Sequence, residues 1–199
     1  PMRSPSVLRL LILSVPLLIV GCGGSDSAPT SSQTPPDAVR RDVEQSIASL
    51  NEMRESLAAT IDTSAVDKRT FKRVCAPVGK RARQLGADRG WEVQQLATKY
   101  RNPAHEPDAE ARRLHEEFVT SPELTERWIR TTRSGHEGWR YARRITVQPS
   151  CLACHGPKDE RPAFVKKDYP EDRAYGFEDG DLRGIYAVFV PDTSTGDAF

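Results

Sequence analysis

No stretch of 18 or more apolar residues occurs in this 199-residue sequence, which argues against a polytopic helical membrane protein. Charge of one sign is not in excess either: 29 Lys and Arg stand against 28 Asp and Glu, giving a net charge of +1. The basic residues are dispersed, with no aromatics interleaved among them, so nucleic acid is not the expected partner. Internal repeats are missing. Methionine (2), histidine (4) and cysteine (4) are scarce, so any metal or cofactor chemistry must be built from a short supply. The length suits one ordinary domain with appendages, able to bury a core without disulfides.

At the N-terminus, Arg3 and Arg9 precede an apolar run from Leu10 to Val20 that is too short to span a bilayer. Ile19-Val20-Gly21-Cys22 follows, resembling a lipobox. Residues 1–21 are therefore expected to be a lipoprotein signal peptide and Cys22 a lipidation site. The chain is then exported and held by its lipid anchor at the periplasmic face of a membrane. An ordinary signal peptide cut near Gly24 would export it equally. GGSDSAPTSSQTPP, residues 23–36, cannot bury surface, so residues 22–37 read as a flexible tether.

Thr34-Pro35-Pro36-Asp37 reads as a helix start with Thr34 as N-cap. Val39, Val43, Ile47, Leu50, Leu57 and Ile61 then recur at spacings of three, four or seven, which predicts a long amphipathic helix. Its stripe packs on a sheet or, as the lesser alternative, on a second copy of the chain. A second helix is expected from about Asp67 to Leu85, with Cys75 inside its buried stripe and Pro77 kinking it or delaying its start. Residues 91–100 read as a strand, residues 101–107 as a loop, and Asp108 as the cap of a short helix to Val119. Ser121-Pro122 is taken to open a further helix ending at Gly135. Residues 139–147 alternate as a strand, interrupted by Arg143, and residues 182–190, apolar on both faces, read as a central strand.

The chemistry concentrates in CLACHG, residues 151–156. Two thiols at this spacing reach both vinyl groups of a haem, and the following imidazole binds the iron. Cys151, Cys154 and His155 thus predict one covalent haem c. Zinc would need two more ligands at close spacing, and a redox disulfide would need a helix where GPKDERP stands. Met53, His105, His115, His136 and Cys75 are the candidates for the opposite side of the iron. Met53 lies on the first helix's packing stripe, His105 and His136 sit in Pro- and Gly-rich loops, and His115 lies on an apolar helical face. With Cys22 lipidated and the CxxC pair attached to haem, Cys75 is left as a lone exported thiol. Lys72, Arg73, Lys80 and Arg81 nearby would favour its thiolate, the ligating form. Arg143 is the first choice to meet a haem propionate, with Arg101 and Arg183 behind it.

The pair Val74-Cys75, RNPAHEPD at 101–108, CLACHG at 151–156 and YPEDRAYGFEDGDLRGIY at 169–186 occur in an order that resembles a known family. These are exported single-haem c-type domains of PAS-like fold, long catalogued as a domain of unknown function. The likeness covers roughly residues 38–191, within a domain assigned to 38–199. It departs at Gln94-Gln95-Leu96, where an arginine followed by Thr or Ser is usual, and at Pro77, which directly follows Ala76. The resemblance implies an α/β (α+β) architecture: a PAS-like antiparallel sheet with flanking helices and a long N-terminal helix. It also implies Cys75 and His155 as the iron ligands, and a role as a haem-based redox sensor.

A thiolate ligand lowers the potential, and two protein ligands leave no open position for substrate, which argues against an oxygenase or peroxidase. A low-potential electron-transfer cytochrome is the second reading, and a haem enzyme acting on peroxide or oxygen the third. A sensor would also need a separate redox or signalling protein partner.

Overall fold

A computed structural model describes residues 34–192; the proposed signal peptide, Cys22 and most of the tether lie outside the described residues. Helix α1 runs Asp37–Ala58 and α2 Lys68–Arg89. They are followed by β1 (Glu92–Leu96), α3 (Ala109–Thr120), β2 (Glu126–Arg133) and β3 (His136–Thr146). The one-turn α4 (Leu152–His155), the short α5 (Ala163–Asp168) and β4 (Leu182–Pro191) complete the order. The strands form one antiparallel sheet in the order β1-β4-β3-β2. With helices on both faces this is an α+β, PAS-like arrangement, as the resemblance implies.

The two sheet faces carry separate cores. On one, Val43, Ile47 and Leu50 of α1 and Val78, Ala82 and Leu85 of α2 meet Tyr141, Ile145, Tyr186 and Val188. On the other, Ala111, Leu114 and Phe118 of α3 cover Leu96, Ala142, Ile185 and Ala187. The alternation of β3 and β4 feeds both cores, so β4, buried on both faces, lies in the middle of the sheet.

Several local expectations change. Helix α1 begins three residues after Thr34: its N-cap is Pro36, which makes no side-chain capping bond. It closes at Ala58 because the Thr60 hydroxyl and amide both turn back to the Leu57 carbonyl. Helix α2 starts in a capping box in which the Asp67 carboxylate accepts from the Thr70 amide and the Thr70 hydroxyl receives the Asp67 amide. It runs through Pro77 and ends at Gly90, which takes the left-handed conformation (φ 67°).

The helix expected from Ser121 to Gly135 is not there. Residues 126–133 are β2, paired with β3 through a two-residue turn at Ser134 and Gly135, whose φ values are 52° and 82°. Positive φ at both central positions is the turn whose twist matches a hairpin. Trp128, Ile129, Thr131 and Thr132 supply the β-branched and aromatic content that favours a strand.

Candidate haem site

The cysteine loop begins where β3 ends. Pro149–Cys151 form a 3-10 turn that runs directly into α4, so Cys151, Cys154 and His155 lie on about one and a half turns of continuous helical backbone. Cys151 and Leu152 pack on Val147, Ala174 and Phe177. Three backbone bonds brace the end of the loop: Gly156 N–H to Leu152 O (2.7 Å), Gly176 N–H to Gly156 O (2.7 Å) and Phe177 N–H to His155 O (3.1 Å). A β-carbon at Gly156 would stand 2.7 Å from the Leu152 carbonyl oxygen, so only glycine closes the turn this tightly.

The imidazole of His155 is oriented by its own contacts. Its Nδ1 lies 2.8 Å from the Ala174 carbonyl oxygen, which can only accept, so Nδ1 carries the proton and Nε2 presents a lone pair. Arg101 Nη2, 3.5 Å from the same nitrogen, is a donor facing a donor and does not compete. Burial, with the charges of Arg183 and Arg101, holds the ring well below its usual pKa, in the neutral form a metal binds. Phe177 meets the ring edge-on at 6.1 Å.

Behind the imidazole stands a buried polar network absent from the expectations. The fully buried Asp172 carboxylate accepts from Arg161 Nη1 (2.8 Å), Arg101 Nε (3.3 Å) and the Ala174 amide (2.9 Å). Arg101 also donates to the Cys154 carbonyl at 2.7 Å. Asp172 therefore positions both Ala174, which orients His155, and Arg101, which holds the cysteine turn. Burial raises its pKa, but Arg161, the Ala174 amide and Arg101 outweigh this and keep it ionised.

Cys75 does not lie in the buried stripe of α2. Val74 and Val78 are buried, whereas Cys75 is open to solvent. Yet its thiol is pushed up to about 11, first by burial and then by Cys154, with Cys151 acting the same way and Arg101 and Arg183 opposing. The charged groups that weigh most on it, after burial, are Cys154, Arg101, Cys151 and Arg183, all remote in sequence, ahead of its local neighbours Lys72, Arg73, Lys80 and Arg81.

The other expected residues are engaged elsewhere. Arg143 donates to Glu126 at 3.5 Å and interacts with Tyr141 and Glu55, on the α1-facing side of β3. Met53 is half-buried in the groove between α1 and α2. His115, buried on α3, lies 3.4 Å from the Thr98 hydroxyl. His105 and His136 are exposed. Among the described residues no group of three or more His, Cys, Asp or Glu side chains converges as a metal cluster. Two thiols and an imidazole with a free Nε2 on one short helical turn fit the covalent attachment and one-sided ligation of an iron porphyrin.

Comparison with known proteins agrees with this arrangement. The chain is similar to a solved structure described as that of the cyanobacterial heme-protein Tll0287, with 45% identity and a TM-score of 0.71. The match covers 81% of this chain and 100% of that one. No functionally curated protein matches. A family model, Tll0287-like, matches residues 32–191, and the chain belongs to that family.

Proposed function

We propose that this chain holds one haem, attached through Cys151 and Cys154 and ligated by His155 and Cys75, and acts as a redox sensor at the periplasmic face of a membrane. The observation that carries the reading is the Cys151–His155 turn, which sets two thiols beside an imidazole whose Nε2 is free, with the solvent-open thiol of Cys75 as the candidate second ligand. The relative's description as a heme-protein supports it. Haem supplies one-electron redox chemistry at this position. The chain's own residues determine how that chemistry is held. The Ala174 carbonyl accepts the hydrogen bond from Nδ1–H and leaves Nε2 free, Asp172 and Arg101 fix the backbone on either side, and Cys75, deprotonated on binding iron, would contribute an anionic donor that favours the ferric state. Arg3, Arg9, the apolar run and Cys22 support export and a lipid anchor. The signal passes to a separate redox or signalling protein.

The rigid mounting of His155 favours a second reading, a low-potential electron carrier, because a ligand that does not move suits fast electron transfer. The ferric absorption spectrum tests the ligands: Cys75→Ser loses the thiolate features and His115→Ala keeps them, and an unaltered Cys75→Ser spectrum overturns the assignment. Reduction of the wild type then separates the roles. Loss of thiolate features identifies a sensor, an unchanged ligand set a carrier, and turnover of peroxide an enzyme.

A further inference from the structure

On the α3 face of the sheet, a cleft of about 380 Å³ lies between the C-terminal half of α3, the β1-to-α3 loop and the start of β4. That is within the size range of small-molecule sites, roughly 300–1,000 Å³. Three cations line it: Lys99, Arg144 and Arg183. Elsewhere arginines meet carboxylates, as Arg101 and Arg161 share Asp172 and Arg140 is paired with Asp108 and Glu110. These three are in no ion pair among the described residues. Lys99 Nζ donates to the Gly176 carbonyl at 3.0 Å, Arg183 Nη1 to the Lys99 carbonyl at 3.1 Å, and Arg144 to the carbonyls of Leu124, Phe118 and Ser121. Carbonyl acceptors orient a cation without cancelling its charge. Asp181 is the one acid in the lining, and it receives the Glu178 amide.

The remaining wall is apolar. Phe118 and Phe177 flank the cations, each with a cation over its ring, Arg144 at 5.7 Å and Lys99 at 4.3 Å. Val119, also in the lining, is 57% exposed and is the one large hydrophobic residue exposed among those described. Buried His115 and Thr98 add polar groups to the lining. Unneutralised cations beside aromatic and aliphatic surface recognise an anion with an apolar body.

We infer that this cleft binds a small organic carboxylate. Cys75 stands on α2, whose buried residues pack on the opposite face of the sheet, and the cleft meets its surroundings at Arg183. Phe177 and Arg183 belong both to the cleft and to the surroundings of His155, so a bound anion alters the electric field at that imidazole. This consequence rests on the haem reading; the cleft does not.

The carboxylate could be a free acid or a propionate of the proposed haem, and calorimetric titration of the haem-loaded chain with benzoate distinguishes them. Saturable binding is expected, weakened about tenfold or more in Lys99→Gln and in Arg144→Gln, since each removes a charged hydrogen bond. Lys99 is exposed, so its variant tests the cleft even if Arg144→Gln disturbs folding. Affinity unchanged in Lys99→Gln overturns the inference. Binding only after Cys151→Ala and Cys154→Ala remove the haem would assign the cations to a propionate, overturning the free-ligand reading. No binding by either chain removes the site altogether.

Discussion

Asp172 does more for the candidate site than any residue the sequence singles out, although it is neither thiol nor imidazole. Its side chain is fully buried and accepts from two arginines and one amide, and that amide belongs to the residue whose carbonyl orients His155. Asp172→Asn leaves Arg101 and Arg161 without their shared counter-charge, and breaking a buried pair of this kind costs about 3–5 kcal/mol. Denaturant unfolding should show that loss, and a midpoint equal to wild type would show that the network contributes nothing. CxxCH is legible in sequence because its chemistry is packed into five consecutive residues. Cys75 is singled out by elimination, as the cysteine left over, and by the resemblance, while the cations that weigh most on it, Arg101 and Arg183, are remote in sequence and carry no local sign. Asp172 is not legible at all, because an aspartate in YPEDRAYGFEDGD carries no local sign that it is the buried one. Arg143 interrupts an apolar strand face, which invites a ligand role, and the structure sets it beside Glu126 of the adjacent strand, to which it donates.

Elements with a marked period or a long apolar run are readable, and β2, which has neither, is not. The stripes of α1, α2 and α3 and the doubly apolar β4 follow from spacing alone. The strand β2 does not, because its burial is shallow and its polar residues tolerate a helical reading. What decides it is the Ser134-Gly135 turn, a signal two residues long at the end of the misread segment. Gly135→Ala places a β-carbon on a residue at φ 82°, a conformation that costs an L-residue roughly 1–2 kcal/mol. Thermal unfolding should fall accordingly, with the spectrum of the haem-loaded chain unchanged because the turn is at the far end of β3 from the cysteine loop. Helix α2 is long enough to run through Pro77, where a kink or a late start was expected. The lost amide removes one bond while Val74, Val78, Ala82 and Leu85 continue to pack.

Across the whole molecule, polar ties join the layers that the two cores build. Asp108 caps α3 through the Ala111 amide (2.8 Å) and also accepts from Arg140 of β3 and Arg133 of β2. Partial burial raises its pKa, but the Arg140 bonds, the Ala111 amide and Arg133 outweigh that and hold the carboxyl well below the usual range. The unfolded chain therefore takes up the proton first, near the ordinary Asp value of about 3.9. The stabilisation is complete above that pH and is lost as pH falls toward the folded value. Unfolding measured across a pH series should steepen below about pH 4 in the wild type and flatten in Asp108→Asn; parallel profiles would place the acid sensitivity elsewhere. The sheet brings the β1-to-α3 loop, the cysteine loop and the start of β4 to one end, which is why Arg101 and His155 meet and Arg183 bears on both although no local pattern links them. At that end the two proposed iron ligands differ mechanically. His155 is braced by its Nδ1 bond and by backbone bonds on both sides, whereas Cys75 sits on a helix whose next turn lacks the amide of Pro77. Compliance is thus one-sided. Were an iron held by both, movement would be taken up on the Cys75 side, and the first turns of α2 would carry it to Phe71 against Phe164 and Tyr169 and to Lys68 against Asp168.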